Sequence, residues 1–435
     1  MILITWITNH ISCDNLSMRS LLITLLTTYA LAQSPPRILI SHTTESLRGV
    51  SAVSKQVAWA SGTHGTYLHT TDGNAWQPAQ VPGAESLDFR AVVAFSADEA
   101  FLMSAGPGDQ SRIYHTTDAG EHWQLQFTNT NPKGFFDSMA FWDGTHGIVL
   151  GDPIPDESGD LKFELLLTDD GQTWHHLPPA NLPPAIEGEG AFAASNTCIA
   201  ILPASLTSGN TPRSQKASHS NVIPNARQRE RDLTSASGVD AADRIAQRHA
   251  LSGKSGASAP RNPSQKQRPS APDPNIWFAT GGKAARVFHS PDRGKTWQVA
   301  DTPVLHGPDS AGIFSIAFRD TTHGVIAGGD YKNPNQDGPN LAFSEDGGRT
   351  WTLSKIHPQA YFSAVAYDRG PRNQATVKDR VFIVGQDFIF DFRPPAHPTR
   401  IGPKKKPDTK FNALSPYPQG GALIVGPKGT IAATP

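Results

Sequence analysis

The stretches Ser290-Pro291-Asp292-Arg293-Gly294-Lys295-Thr296-Trp297 and Ser344-Glu345-Asp346-Gly347-Gly348-Arg349-Thr350-Trp351 decide the fold, because both read S-x-D-x-G-x-T-W. Working outward, the same phrase recurs as Thr70 to Trp76, Thr116 to Trp123 and Leu167 to Trp174. The first copy is one residue short between Asp72 and Trp76, and the third has Leu167 where a hydroxyl residue is expected. The pattern suits a tight hairpin in which the aspartate caps turn N–H groups and glycine supplies a positive φ. The tryptophan then opens an outer strand and buries its large ring against a neighbouring sheet. On this reading Asp72, Trp76, Asp118, Gly120, Trp123, Asp169, Gly171, Trp174, Asp292, Gly294, Trp297, Asp346, Gly348 and Trp351 are structural.

Successive box aspartates lie 46, 51, 123 and 54 positions apart, so one gap is too long for a single repeat. Residues 203–274 fill it with Ser, Pro, Arg, Gln and Asn, carry eleven Lys/Arg against five Asp/Glu, and lack strand alternation. The composition predicts a disordered basic insertion. It departs after Cys198 to Leu202 and returns at Ile276 to Thr280, which aligns with Val57 to Ser61, so it is expected between the first and second strands of a blade. Blades are expected to begin near Leu47, Leu87, Gly134, Glu187, Gly312, Tyr361 and Phe411. The prediction is an all-β propeller of about seven four-stranded antiparallel blades. The sixth blade lacks its box beyond Phe388 to Phe392, and the seventh lacks a strand that Arg37 to Ser41 would supply, closing the ring.

Composition agrees. Gly (38) and Pro (36) are abundant and apolar residues make up only 37%, which favours short strands and turns. Lys plus Arg (38) nearly balance Asp plus Glu (39), so no overall field attracts nucleic acid or an anionic membrane. Near the N-terminus, Met18-Arg19-Ser20, apolar Leu21 to Leu31 and Ala30-Leu31-Ala32 form the three regions of a secretory signal. Residues 1–32 are therefore expected to be an upstream extension and signal, with 33–435 a single exported domain, periplasmic or extracellular. Cys13 precedes that start and leaves Cys198 without an intramolecular partner. No later stretch approaches the ~18 apolar residues of a span.

His146 and His323 occupy one register of a repeated turn, Phe141 to Gly147 and Phe318 to Gly324, and His69, His115 and His289 recur just before the boxes. Repeat register, rather than a metal cluster, explains them. No phosphate-binding Gly-Lys-Ser/Thr loop, H-E-x-x-H or G-x-S-x-G elbow is present, and no cofactor is expected.

The chain resembles the BNR/Asp-box repeat propellers of the sialidase superfamily. In layout it is similar to the photosystem II stability/assembly factor-like group, over essentially all of Arg37 to Pro435 apart from the insertion. The resemblance implies fold more than activity, since sialidases, xyloglucanases, sortilin-type receptors and assembly factors share the box. It places a site over the central channel, opposite the box turns. Asp152, Asp156, Glu157, Glu187, Glu189, Lys283, Arg286, Asp330, Tyr331 and Lys332 are expected on that face. A glycosidase needs two carboxylates, or a tyrosine with a supporting acid. Asp152, Glu189, Asp330 and Tyr331 are the catalytic candidates, and Glu187, Lys283 and Arg286 the binding ones. A sialidase-like site also needs three arginines, but arginines near the mouth are few and its N-terminal Arg-Ile-Pro is matched only in its first two residues by Arg37-Ile38-Leu39. A xyloglucanase-like enzyme pairs two such propellers. The expectation is a monomeric, non-catalytic extracytoplasmic propeller that binds an envelope protein or a glycan and assists assembly. The alternative is a glycoside hydrolase at the channel mouth.

Overall fold

The computed structural model describes residues 35–182, 184–202, 274–355, 360–370, 380–385, 389–392, 399–400 and 410–435. The signal-like segment, Cys13 and all but the last residue of the 203–274 insertion lie outside them. The chain divides into Met1–Ser208 with Ala271–Pro435, and Gly209–Ser270. All described residues belong to the first unit.

Among the described residues the structure is antiparallel strand, with two three-residue 3-10 turns and no α-helix. There are seven sheets, numbered here by their innermost strands: Leu47–Ala52, Phe89–Ala94, Phe136–Phe141, Ile199–Ile201, Ala311–Phe318, Phe362–Tyr367 and Ala413–Pro416. Each inner strand neighbours the next, and the last returns to the first, so the strands ring a channel. Four-stranded antiparallel blades are found as expected, but six of them rather than seven among the described residues. Six sheets have four strands, whereas sheet 5 has six, because the pairs Glu189–Gly190 and Gly281–Gly282 add to its inner side. Glu187 therefore does not open an inner strand; that of sheet 4 begins at Ile199.

Sequence pattern explains the layering. Second strands such as Ala58–Gly62, Ala100–Ser104 and Val381–Gly385 are buried at every position, because a sheet packs on each side. The outermost strand Gln77–Gln80 is exposed throughout. Cores lie between sheets: Trp59 and Tyr67 of sheet 1 meet Phe89, Leu102 and Tyr114 of sheet 2. Polar bonds stitch neighbouring inner strands, with the Ala94 N–H donating to Ser51 Oγ (3.0 Å), Val365 N–H to Ser315 Oγ (2.9 Å) and Ala52 N–H to Ser415 Oγ (3.0 Å). Arg37–Leu39 pairs with the final strand, Thr430–Ala433, and completes sheet 7. The insertion falls between Ile199–Ile201 and Ile276–Ala279, the paired first and second strands of sheet 4.

Each Asp-box is a hydrogen-bonded turn. In sheet 2, Thr116 Oγ1 donates to Asp118 (2.9 Å), the Gly120 N–H donates to Thr116 Oγ1 (3.1 Å), and Asp118 accepts the His122 N–H (2.9 Å). That amide and the His122 ring lower the Asp118 pKa to about 2. Ala119 and Gly120 both take positive φ (61° and 87°), as the primed turn requires. The third box corrects the sequence reading. Its capping aspartate is Asp170, not Asp169: Thr168 Oγ1 donates to Asp170 (3.1 Å), which accepts the Gln172 (2.8 Å) and Thr173 (2.7 Å) amides. Sheets 1 and 3 thus share a shorter box, Thr-x-Asp-Gly, with a positive φ at Gly73 and Gly171. Asp169 instead accepts from Arg293 Nη2 of sheet 4 (2.7 Å).

Of the box tryptophans, Trp76, Trp174 and Trp351 are buried, while Trp123 and Trp297 are half-buried against neighbouring cores. Bonds between sheets accompany them: Tyr67 Oη donates to the Gly120 carbonyl (2.9 Å) and Trp277 Nε1 to that of Gly347 (2.8 Å). His146 and His323 are turn residues, each ring bonded through Nδ1 to Asp143 or Asp320 three positions back. His115 and His289 stack on Phe101 and Trp277 in the sheets.

Candidate functional site

The channel mouth opposite the box turns is built by a repeated irregularity. Five inner strands carry a register shift near their first residues, between Leu47/Gly49, Phe89/Ala91, Phe136/Ser138, Ile313/Ser315 and Phe362/Ala364. A β-bulge leaves one residue out of the ladder and re-aims its side chain. The bulged residues are Arg48, Arg90, Asp137, Phe314 and Ser363, and all five line one cavity of about 450 Å³. Lys410, Phe411 and Asn412 complete it from sheet 7. In sheet 4 the place of a bulge is taken by the segment Ala191 to Ala194, which crosses the mouth before the inner strand starts.

Charge is divided around this rim. Arg90 donates to Asp88 (2.8 Å) and to the Ala193 carbonyl (3.3 Å), and its guanidinium lies 5.9 Å from the Phe135 ring. Arg48 Nε is buried without a hydrogen-bond partner, and burial, reinforced by the charge of Arg90, lowers the Arg48 pKa. Opposite, Asp137 is 1% exposed with Oδ2 unpartnered. Burial first, then the charge of Asp152, pushes its pKa well up. Asp152 accepts the Ala191 N–H (3.0 Å), and burial raises its pKa to about 6. Aromatic rings fill the wall between: Phe192 stacks on Phe314 at 3.9 Å, and Tyr361 meets Phe314 edge-on at 4.7 Å.

Of the residues expected here, Asp152 and Tyr331 line the cavity and the others do not. Glu189 is fully buried and saturated. It accepts from Thr280 Oγ1 (2.6 Å), the Ile186 N–H (2.9 Å), Arg286 Nε (2.9 Å) and Arg286 Nη2. The same pairing removes Arg286 from the binding candidates. Asp330 caps a turn, accepting the Lys332 N–H (2.9 Å) and Asn333 Nδ2 (2.7 Å), and these bonds outweigh burial to lower its pKa. Glu187 and Lys283 are exposed away from the cavity. Asp156 caps its own loop at Ser158 (2.9 Å) and Asp160 (3.0 Å). Tyr331, 45% exposed, adjoins Phe314 edge-on. The four catalytic candidates therefore do not converge.

Sequence reading missed Arg48, Arg90 and Asp137. Their signal is positional: each follows the first apolar residue of an inner strand, as in Leu47-Arg48-Gly49-Val50, Phe89-Arg90-Ala91-Val92 and Phe136-Asp137-Ser138-Met139. Alignment of the inner strands, rather than of the boxes, would have found them. Among the described residues the group with metal-like spacing is Asp118, Glu121 and His122. It belongs to a box turn, where Asp118 already holds the His122 amide and ring.

No family model matches the chain, and no curated protein matches it. Solved structures do. The chain is similar to YCF48 bound to a D1 peptide, at 16% identity over 93% of this chain and 96% of that one, with a TM-score of 0.36. The WD40 β-propeller domain of Doa1 is 9% identical over 92% and 96%, with a TM-score of 0.52. The GH74 xyloglucanase from Xanthomonas campestris is 15% identical over 92% of this chain but 53% of its own length, with a TM-score of 0.52. The chain thus spans about half of that enzyme. At such identities the likeness is one of propeller fold.

Proposed function

We propose that the chain is a non-catalytic, exported propeller that binds a protein segment or a glycan at the bulge-lined mouth and acts as an assembly or stability scaffold. One observation carries this reading: two of the three acids expected to do chemistry are occupied, Glu189 by Arg286 and Asp330 by its own turn, which leaves Asp152 without either as a partner carboxylate, while cations and rings remain at the rim. A cavity of about 450 Å³ with convergent polar groups and aromatic walls is the usual form of a recognition site. Arg48, short of hydrogen-bond partners, and half-exposed Tyr331 are the natural contacts. Export rests on the signal-like Met18 to Ala32 alone.

The adjoining Asp137 and Asp152 favour one alternative, a glycoside hydrolase, because raised carboxyl pKa values suit a general acid. Against it, Asp137 is only 1% exposed at the cavity wall beside Ala191 to Ala194.

The two readings part in one experiment on residues 33–435. Fluorogenic glycosides and polysaccharides are offered to the wild type and to Asp152→Asn, alongside pull-downs from envelope extracts with wild type and Arg48→Ala/Tyr331→Ala. Specific capture lost in the double variant, without turnover, upholds the scaffold. Turnover abolished by Asp152→Asn replaces it with the hydrolase.

A further inference from the structure

The segment across the mouth is anchored at both ends and lightly held between. At its start, Glu189–Gly190 pairs with Gly281–Gly282. At its end, Asn196 adopts φ 61° and accepts the Met139 N–H (2.7 Å), while the Thr197 carbonyl accepts the Ile316 N–H (2.8 Å). Between these anchors, Ala191 to Ser195 form no strand. Phe192 rests on Phe314 and over the facing Gly281 and Gly312, where an added Cβ would come within 2.2 or 2.9 Å of its ring. Of the two carboxylates beneath, Asp152 takes the Ala191 amide, and Asp137 lines the same cavity as Ala193 with its Oδ2 unpartnered.

We propose that Ala191 to Ser195 form a movable wall of the mouth latched by protons: it lies shut over Asp137 and Asp152 while these are neutral, and is released as they ionise. The physical reason is solvation. A closed wall leaves Asp152 largely one amide in place of water, and Asp137 Oδ2 has no partner at all. That is tolerable for a neutral acid and costly for an anion. Lifting the wall admits water and removes the cost.

The surrounding groups set the balance. From sheet 2, Arg90 favours the Asp137 anion, but it is already paired with Asp88 and binds the wall itself at the Ala193 carbonyl. Within sheet 3, Asp152 and Glu164 disfavour that anion. Burial raises the Glu164 pKa against the hydrogen bond from Asn129. His176, 3.7 Å from Glu164, has its pKa lowered by burial and then by His175. Behind the wall, burial and then the charge of Asp137 push the Cys198 thiol up, so it contributes no anion. Arg48, Lys410 and Tyr331 share the cavity from sheets 1, 7 and 5.

The sign follows by linkage. The closed wall holds Asp152 at about 6 against an ordinary 3.8, so protons favour closure, and closure weakens as pH rises through this interval. Two units correspond to about a hundredfold in the closing equilibrium. The wall borders the binding surface proposed above, but its motion is measured without any ligand, so either idea can fail alone.

The test is hydrogen exchange on the full chain at pH 5 and pH 8, corrected for intrinsic rates, following peptides over residues 190–197. Peptides over the inner strand Phe89–Ala94 report global opening. Protection of the wall is expected to fall by at least about tenfold from pH 5 to pH 8, the share of the Asp152 linkage that lies above pH 5, while the control is unchanged. The Asp137→Asn/Asp152→Asn variant, neutral at both pH values, is expected to stay protected throughout. Equal protection of the wild-type wall at both pH values, a loss shared by the control peptide, or a pH effect persisting in the variant would each overturn the proposal.

Discussion

Replacing Arg286 by methionine tests whether Glu189 is a fixture of the fold or a group available for chemistry. The Glu189 side chain is wholly enclosed and accepts four hydrogen bonds, two of them from Arg286, whose own side chain is only 13% exposed. Methionine keeps most of the apolar stem over Phe288, where the guanidinium sits 4.9 Å from the ring centroid. What is lost is the charge and both donors, leaving a carboxylate with only Thr280 and the Ile186 amide. Breaking one side of a buried ion pair costs about 3–5 kcal/mol, whereas replacing both sides with apolar groups is often near neutral. Urea unfolding followed by tryptophan fluorescence should therefore show Arg286→Met losing about 3–5 kcal/mol, with Glu189→Met/Arg286→Met recovering most of it. A loss below about 1 kcal/mol in the single variant would show that Glu189 tolerates standing alone, and would return it to the list of reactive acids.

Three further outcomes are expected. Asp170→Ala should lower the melting temperature clearly more than Asp169→Ala, because Asp170 caps the box while Asp169 makes a surface ion pair; equal effects would restore the longer register. Tyr67→Phe removes a buried bond between sheets 1 and 2 and should cost about 1 kcal/mol in thermal or urea melts, with no loss of strand signal in circular dichroism. For Asp152, a folded value of about 6 over an ordinary 3.8 means that its contribution is present below about pH 4 and lost as pH climbs toward 6. Asp152→Asn should gain on the wild type across that window, by up to about 3 kcal/mol, in differential scanning calorimetry at stepped pH; a difference that stays flat with pH would refute this.

Much of the fold was legible because the box is a local device. Hydroxyl, aspartate, glycine and tryptophan sit within eight positions, and each has one job in a single turn. Legibility failed where two local solutions overlapped: Asp169-Asp170 offers a long and a short box at once, and only the bonds to Thr168, Gln172 and Thr173 decide between them. The mouth was harder. Asp152, inside the second strand Gly147–Pro155, and Tyr331, just after Gly324–Asp330, were visible, but Arg48, Arg90 and Asp137 reach the cavity only because of bulges that no single strand announces. Glu189 misled for a related reason. Its fourfold bonding depends on Thr280 and Arg286, which lie across the long insertion in sequence and beside it in space.

The seam of sheet 7 has a consequence for how the molecule is made. Sheets 1, 2, 3 and 6 are each drawn from one continuous run of chain, so each can form soon after its own residues emerge. The join between Arg37–Leu39 and Ile431–Ala433 spans nearly the whole sequence and waits for the last residues. Until then the strand Ala422–Gly426 presents a bare edge and sheet 7 lacks its outer two strands. A chain stalled or clipped before this point would carry most of its blades yet display an open, pairing-competent ladder. Such a species would be the natural substrate of chaperones and the first to aggregate, and maturation would be marked by the disappearance of that edge.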